Sequence, residues 1–173
     1  MAFNNPGRSF GGQSRANTSG PGYRGGDDRS NRSPEPTIST SRILFGEKLM
    51  PTLYSDVAED CAKEVARQIG GRDVNKGTQL RRFYDELVML QGKVGSSAER
   101  YDAQAPYIQM LKAKVAYAMG RNKVDVNFDR LLRHVIDQAT DHKSLAQAKL
   151  FMEAFMAFYK VHGPKDKVHE PRD

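Results

Sequence analysis

The chain has 173 residues and a formal net charge of +6, with 28% charged and 38% hydrophobic residues. This composition can build one compact domain but cannot bury a core along the whole length of the chain. A single cysteine, Cys61, excludes an internal disulfide bond. No apolar run has the length of a signal peptide or a membrane span. We therefore expect a cytoplasmic protein without a membrane partner.

The first 42 residues have the composition of a disordered arm. They contain seven glycines, six arginines and no lysine, and Ile38 is their one large aliphatic residue. So little apolar surface cannot offset the conformational entropy that is lost on ordering. The sequence predicts a disordered Gly/Arg-rich arm over 1–42, a helical bundle domain over 43–163 and a flexible tail over 164–173. We expect removal of the arm to leave the bundle folded.

Apolar residues recur at helical spacing in five segments that follow the arm. The predicted helices run over about 55–69, 78–94, 106–119, 127–138 and 143–161. Ser55 and Thr78 are the expected N-caps of the first two helices, and Pro106 suits the first turn of the third. No alternating pattern predicts a strand, so the fold class is all-α, a compact bundle of about five helices.

The fifth predicted helix is apolar on nearly all sides. One face carries Leu145, Met152, Phe155 and Tyr159, and much of the other carries Leu150, Phe151, Ala154 and Phe158. A helix of this kind is either central in its bundle or buried against a partner. The central position is the more frequent arrangement, and we expect it here.

The third predicted helix has three different faces. Its core face carries Ile108, Leu111, Val115 and Met119. A neighbouring row interleaves cations with apolar or aromatic residues, namely Met110, Lys114, Tyr117 and Arg121. The opposite side carries mostly small residues, namely Gln109, Ala113, Ala116 and Gly120. This combination favours a nucleic-acid-binding bundle over an enzyme pocket. Tyr117 could stack on a base, but a tyrosine beside a core face more often packs at its rim, as we expect here.

The sequence offers no catalytic or metal-binding pattern. None of the four histidines stands at a zinc-ligand spacing, and Gly92-Lys93-Val94 lacks the other residues of a phosphate-binding loop. Cys61 falls on an apolar helix face, where a small core residue is more frequent than a nucleophile. We predict a protein that is not an enzyme and that has no cofactor and no metal ligand.

Basic residues on three of the predicted helices are the candidate nucleic-acid-binding residues. They are Lys76, Arg81 and Arg82 around the start of the second helix, Lys112, Lys114 and Arg121 on the third, and Arg130 and Arg133 on the fourth. A single helical cation usually belongs to a solvated face. A surface shared by several of them favours phosphate backbones.

Three segments together resemble a known family. They are Gln79-Leu80-Arg81-Arg82-Phe83-Tyr84, the stretch from Leu111 to Arg121, and the stretch from Phe151 to Lys160 followed by Gly163. In order and spacing they are similar to the small subunit of type III-A CRISPR effectors, the second subunit of the Csm complex. The similarity covers about residues 70–163.

The resemblance implies a bundle without catalytic activity that stacks in several copies along a ribonucleoprotein filament in antiviral defence. Its partners would be guide RNA and target RNA, the backbone and large subunits of the effector, and copies of itself. Arg81, Arg82, Lys112, Lys114 and Arg121 are the matching basic positions. The alternative is a helical protein-interaction adaptor with no direct nucleic-acid contact, in which the same cations are only solvated.

Overall fold

A computed structural model describes residues 35–71 and 73–164. Residues 1–34 of the predicted arm and residues 165–173 of the predicted tail lie outside this part of the chain. Within it the protein is all-α, with five α-helices and no strand, so the predicted fold class is confirmed. A π-helical turn over Leu53–Val57 leads into α1 (Ala58–Ala66). The helices α2 (Gly77–Val94), α3 (Ala98–Gly120), α4 (Val126–Gln138) and α5 (His142–His162) follow.

The first two helices begin differently from the prediction. Ser55 lies inside the π-helical turn, where its hydroxyl donates to the carbonyl of Thr52 at 3.3 Å, so it is not an N-cap. Thr78 lies within the first turn of α2, and the N-cap position is held by Lys76, whose side chain makes no capping bond. In both cases helical structure begins about two residues closer to the N-terminus than predicted, since local capping preference alone does not decide where a helix begins.

The third helix begins at Ala98, so the prediction that Pro106 stands in its first turn was wrong. The N-cap is Ser97, whose hydroxyl accepts the backbone N–H of Arg100 at 3.2 Å. Pro106 lies inside the helix, where it removes one backbone hydrogen bond. The buried Tyr101 fixes this first part of the helix, because its hydroxyl donates to the carbonyl of Ala139 at 2.5 Å.

The fifth helix is the central one in the packing of the bundle. This helix contacts α1, α2 and α4, whereas α3 contacts α2 and α4. Consequently α2 and α4 lie between α3 and α5. The expected central position of the fifth helix is confirmed, although Leu150 on its second face remains 46% exposed.

An aromatic row joins the helices at the centre of the core. The ring of Phe83 on α2 lies 5.6 Å from that of Phe128 on α4, which lies 6.1 Å from Phe155 on α5. Phe155 in turn stacks on Tyr159 of the same helix at 5.7 Å. Each such pair adds about 0.5–1.5 kcal/mol to the free energy gained by burial.

A segment before the first helix packs along the bundle. Ile38 is only 2% exposed and Ile43 is fully buried. The side-chain carbonyl of the buried Asn127 accepts the backbone N–H groups of Thr37 at 2.8 Å and Ile38 at 3.1 Å. The packed chain therefore begins before residue 43, where the sequence placed the start of the bundle. Composition missed this because one apolar residue and two backbone bonds are enough to hold a short segment.

Asn75 is a fully buried polar residue at the entry to α2. Its side-chain amide donates to the carbonyl of Val65 at 3.1 Å, and its side-chain oxygen accepts the N–H of Asp125 at 2.9 Å. Its backbone N–H donates to the carbonyl of Lys123 at 2.9 Å, and its carbonyl accepts the hydroxyl of Tyr159 at 2.5 Å. Asn75 adopts a left-handed φ of 57°, a conformation that asparagine tolerates better than most residues. One residue thus connects α1, α2, the α3–α4 loop and α5.

Asp125 extends this connection. One oxygen of its carboxylate accepts the N–H of Phe128 at 2.9 Å and caps α4, and the other accepts the N–H of Ile69 at 3.0 Å. Gly163, just after α5, leaves room for the ring of Tyr159 in the same region. A Cβ atom there would stand 2.6 Å from the carbonyl oxygen and 2.8 Å from the ring of Tyr159. A side chain at this position would therefore displace the ring whose hydroxyl reaches Asn75.

The substitution Asn75→Ala should lower the free energy of unfolding by about 2–4 kcal/mol, because it leaves the buried backbone N–H of Asp125 without its acceptor and removes the side-chain hydrogen bond to the carbonyl of Val65. Asn122→Ala is the matched control, since Asn122 has a similar φ of 53° but lies exposed. We expect the control to cost less than about 1 kcal/mol. Denaturant unfolding followed by circular dichroism measures both. Equal losses would show that backbone conformation, and not the hydrogen bonds, makes Asn75 important.

Truncation tests the segment that packs before α1. A chain that begins at residue 43 should be less stable by about 2–4 kcal/mol than one that begins at residue 35, because it loses Ile38 and the bonds to Asn127. Thermal unfolding of the two truncated chains gives the comparison. Ile38→Ala in the longer chain should reproduce much of the loss. Identical melting temperatures would contradict the packing described here.

Candidate nucleic-acid interface

The third helix presents the faces that the sequence predicts. Ile108, Leu111 and Val115 are fully buried between α2 and α4, and Met119 is partly buried. The small residues Ala113 and Gly120 lie exposed on the opposite side. A Cβ atom built on Gly120 meets nothing within 4 Å. This side of α3 therefore carries small residues and is open to solvent.

Tyr117 does not pack at the rim of the core, so that prediction was wrong. Its side chain is 66% exposed, and its hydroxyl accepts a hydrogen bond from the Arg121 guanidinium at 3.0 Å. The same guanidinium lies 5.7 Å from the centre of the Tyr117 ring. Tyr117 shares its helical row with Met110 and Lys114, which are also exposed.

Two lysines of α3 reach in opposite directions. Lys112 forms an ion pair with Asp137 of α4, and Lys114 forms one with Glu86 of α2. These pairs link α3 to both of its neighbouring helices. Each lysine therefore has a structural partner and also stands at the edge of the open surface.

Three further predicted cations also have acidic partners. Lys76 pairs with Asp73 at 2.8 Å, and this hydrogen bond, with a smaller contribution from the charge of Lys123, lowers the pKa of Asp73. Of the remaining predicted cations, Arg81 pairs with Asp85 at 2.8 Å and Arg133 pairs with Asp129 at 2.8 Å. Five of the eight predicted cations thus have a carboxylate partner, namely Lys76, Arg81, Lys112, Lys114 and Arg133.

The other three predicted cations are exposed arginines, and no carboxylate of the described residues pairs with them. They are Arg82, Arg121 and Arg130. Because a short loop joins α2 to α3, the two helices run antiparallel. Arg82 lies one helical turn before Glu86, and Tyr117 lies about one turn after Lys114. The pairing of Glu86 with Lys114 therefore places Arg82 of α2 at about the level of Tyr117 along α3.

Arg130 lies on the other side of α3. It lies two turns before Asp137 on α4, and Gly120 lies about two turns after Lys112. The exposed side of α3 is therefore bordered by Arg82 on α2 and by Arg130 on α4. We call this surface the α3 face. It comprises the exposed residues of α3 together with Arg82, Arg130 and Arg133.

Two of the predicted cations lie away from the α3 face. Arg81 lines a groove of about 960 Å³ between α2 and α5, where Glu153 and Lys160 also lie. Its guanidinium stands 5.3 Å from the centre of the Tyr84 ring. Lys76 lies at the start of α2 near Lys123. The adjacent residues Arg81 and Arg82 point to different sides of α2, so the structure separates them.

Sequence reasoning missed several residues near the α3 face. Tyr107 continues the row of Met110 and Lys114, and helical spacing alone could have identified it. Met89 and Lys93 of α2 border the same row across a groove. Only the packing of α2 against α3 reveals these two.

Within the part of the chain that the structure describes, no three His, Cys, Asp or Glu side chains lie close enough to share a metal ion. None of its helices combines the length and the apolar character needed to cross a bilayer. The fold therefore defines a small helical bundle whose main chemical feature is an exposed face bordered by arginines.

A sequence model of the family Csm2 Type III-A matches residues 53–165. This match covers most of the chain, from the π-helical turn to the residues just after α5. The chain belongs to the Csm2 Type III-A family and is a small subunit of a type III-A CRISPR complex. The predicted family is thereby confirmed. Neither a curated protein nor a solved structure gives a significant match.

Cys61 should be unreactive in the folded protein. It is buried on α1, and burial raises the pKa of its thiol from 9.0 to about 12, so the nucleophilic thiolate is scarce at pH 8. Alkylation with iodoacetamide at pH 8 should be slower by roughly three orders of magnitude in the folded protein than in denaturant. Mass spectrometry over time measures both rates. Folded and unfolded rates within tenfold of each other would contradict the burial.

Proposed function

We propose that this protein is a non-catalytic subunit that holds the RNA backbone on its α3 face, in several copies along the guide RNA–target RNA. It would act in the cytoplasm, in antiviral defence. Its protein partners would be the backbone and large subunits of the effector and further copies of itself. The observation that carries the proposal is a set of three arginines around an open helix surface, Arg82, Arg121 and Arg130, which have no carboxylate partner among the described residues.

Guanidinium groups suit this task. Their planar arrangement of donors matches two phosphate oxygens at once, and arginine stays charged under all relevant conditions. Three such groups per subunit are a modest charge. Repeated copies along one strand add their contributions, so a modest charge in each subunit is sufficient. Phosphate contacts carry no sequence information, and base pairing with the guide can then provide all of the selection.

The paired cations can take part in a second way. An exposed ion pair contributes only about 0–1 kcal/mol, so a phosphate group can replace the carboxylate at little cost. Lys112, Lys114 and Arg133 border the α3 face and are suited to this exchange. Lys76 and Arg81 lie outside the face, and we assign them to secondary contacts with RNA.

The adaptor without nucleic-acid contact remains the second candidate. One observation favours it: most of the predicted cations already have carboxylate partners within the protein. If the three remaining arginines also serve only solubility, the α3 face should be insensitive to RNA. The two functions therefore differ in the salt dependence of RNA binding.

Replacement of Arg82, Arg121 and Arg130 by glutamine should weaken binding to single-stranded RNA and make it less sensitive to salt. Each lost phosphate contact lowers the slope of log K against log salt by about 0.7, so the slope should fall by about 2. Fluorescence anisotropy with a labelled RNA at several salt concentrations measures the change.

The matched control replaces Lys48, Lys63 and Lys143 by glutamine. These lysines are exposed and lie before α1, on α1 and on α5, and their loss changes the net charge by the same amount. The control should keep the slope of the natural protein. If the two triple variants lose affinity equally, net charge and not the α3 face determines binding. If neither variant alters binding, the adaptor function is the better account.

A further inference from the structure

Five residues of α3 form a continuous exposed row. Tyr107, Met110, Lys114, Tyr117 and Arg121 follow one another at intervals of three and four residues, so they share one side of the helix. Tyr107 is 61% exposed and Met110 is 52% exposed. At 1.5 Å per residue the row is about 21 Å long. We call these five residues the aromatic stripe.

A groove lies along the first part of the aromatic stripe. It has a volume of about 340 Å³, and its walls include Tyr107 and Met110 from α3 and Met89 and Lys93 from α2. This volume falls within the range of about 300–1,000 Å³ that is usual for pockets of small organic ligands. Met89 is also well exposed. An apolar recess beside an exposed tyrosine is suited to a flat, largely apolar ring.

The charges around the stripe favour an anionic strand. Two of its five members are cations and none is an acid. The carboxylate in the groove, Glu86, is engaged by Lys114, whereas Lys93 forms no ion pair with the described residues. Near the other end, the Arg121 guanidinium lies against Tyr117. An aromatic surface is thus available at each end, with a cation beside each.

The spacing of the two tyrosines suits several nucleotides. Tyr107 and Tyr117 are ten residues apart along the helix, which corresponds to about 15 Å. A strand that advances about 3.4 Å per nucleotide covers this distance with roughly four nucleotides. Proteins that bind single strands without sequence preference combine such aromatic surfaces with cations that follow the backbone.

We propose that the aromatic stripe binds unpaired RNA, with bases stacked on Tyr107 and Tyr117 and with phosphates at Lys93 and Arg121. This inference rests on the proposed function and specifies its ligand as unpaired nucleotides of any sequence. A base paired within a duplex has both faces covered and cannot stack on these rings. The stripe therefore binds a strand, or part of one, outside the guide–target duplex.

The test uses the full chain with Tyr107→Leu and Tyr117→Leu, singly and together. The matched controls are Tyr107→Phe and Tyr117→Phe, which keep the stacking surface and remove only the hydroxyl. The probes are a labelled oligouridine and an oligonucleotide of equal length and charge that has abasic riboses. Anisotropy titrations give the affinities, and circular dichroism confirms that every variant is folded.

Each leucine variant should bind oligouridine roughly fivefold or more weakly, and the double variant about 25-fold or more weakly. The phenylalanine variants should stay within about twofold of the natural protein. The natural protein should prefer oligouridine to the abasic strand, and the double leucine variant should bind both alike. The salt slope should not change, because no cation is removed.

The inference is overturned if the double leucine variant binds oligouridine as tightly as the natural protein, or if phenylalanine is no better than leucine. It is also overturned if the leucine variants keep their RNA affinity but no longer copurify with other subunits of the complex, since the stripe would then be a protein contact. If the triple arginine variant weakens binding and the leucine variants do not, only this inference fails. If the arginine variant also has no effect, the proposed function fails with it.

Discussion

The buried residue Asn75 joins four parts of the bundle by hydrogen bonds. Its amide and backbone bonds connect the end of α1, the entry to α2, the loop before α4 and the hydroxyl of Tyr159 on α5. Because a buried polar group without a partner costs about 1–3 kcal/mol, these four parts of the chain are held in one relative arrangement. Asp125 extends the restraint by capping α4. The α3 face depends on it, since α2 and α4 supply its two borders.

Much of the fold could be predicted because apolar periodicity reports which side of a helix is buried. Phe128, Leu131 and Val135 on α4 are fully buried, and so are Ile108, Leu111 and Val115 on α3. Helix boundaries were less predictable because tertiary contacts decide where each helix begins and ends. The α3 helix passes through Pro106 since Tyr101 and Ser97 hold the turns before it. Ile38 packs because Asn127, distant in sequence, supplies its hydrogen-bond acceptor.

At the site, the sequence likewise predicted which residues share a side of one helix but not which residues of different helices are in contact. Periodicity correctly set Met110, Lys114 and Arg121 on one row, but it could not show whether Tyr117 leaned toward the core or away from it. It also could not pair Lys112 with Asp137 or Lys114 with Glu86, because those acids belong to other helices. The separation of Arg81 from Arg82 follows from helical geometry once the neighbours of α2 are known. Which of the cations touch RNA stays a prediction.

The chain is a small subunit of a type III-A CRISPR complex, and we propose that its α3 face holds RNA. Ultraviolet crosslinking of the assembled complex, followed by mass spectrometry, tests this claim most directly. Crosslinks to RNA should concentrate in peptides from α3 and from the part of α2 that contains Arg82. Crosslinks confined to α1 and α5, or crosslinks in other subunits with none in this one, would contradict the account.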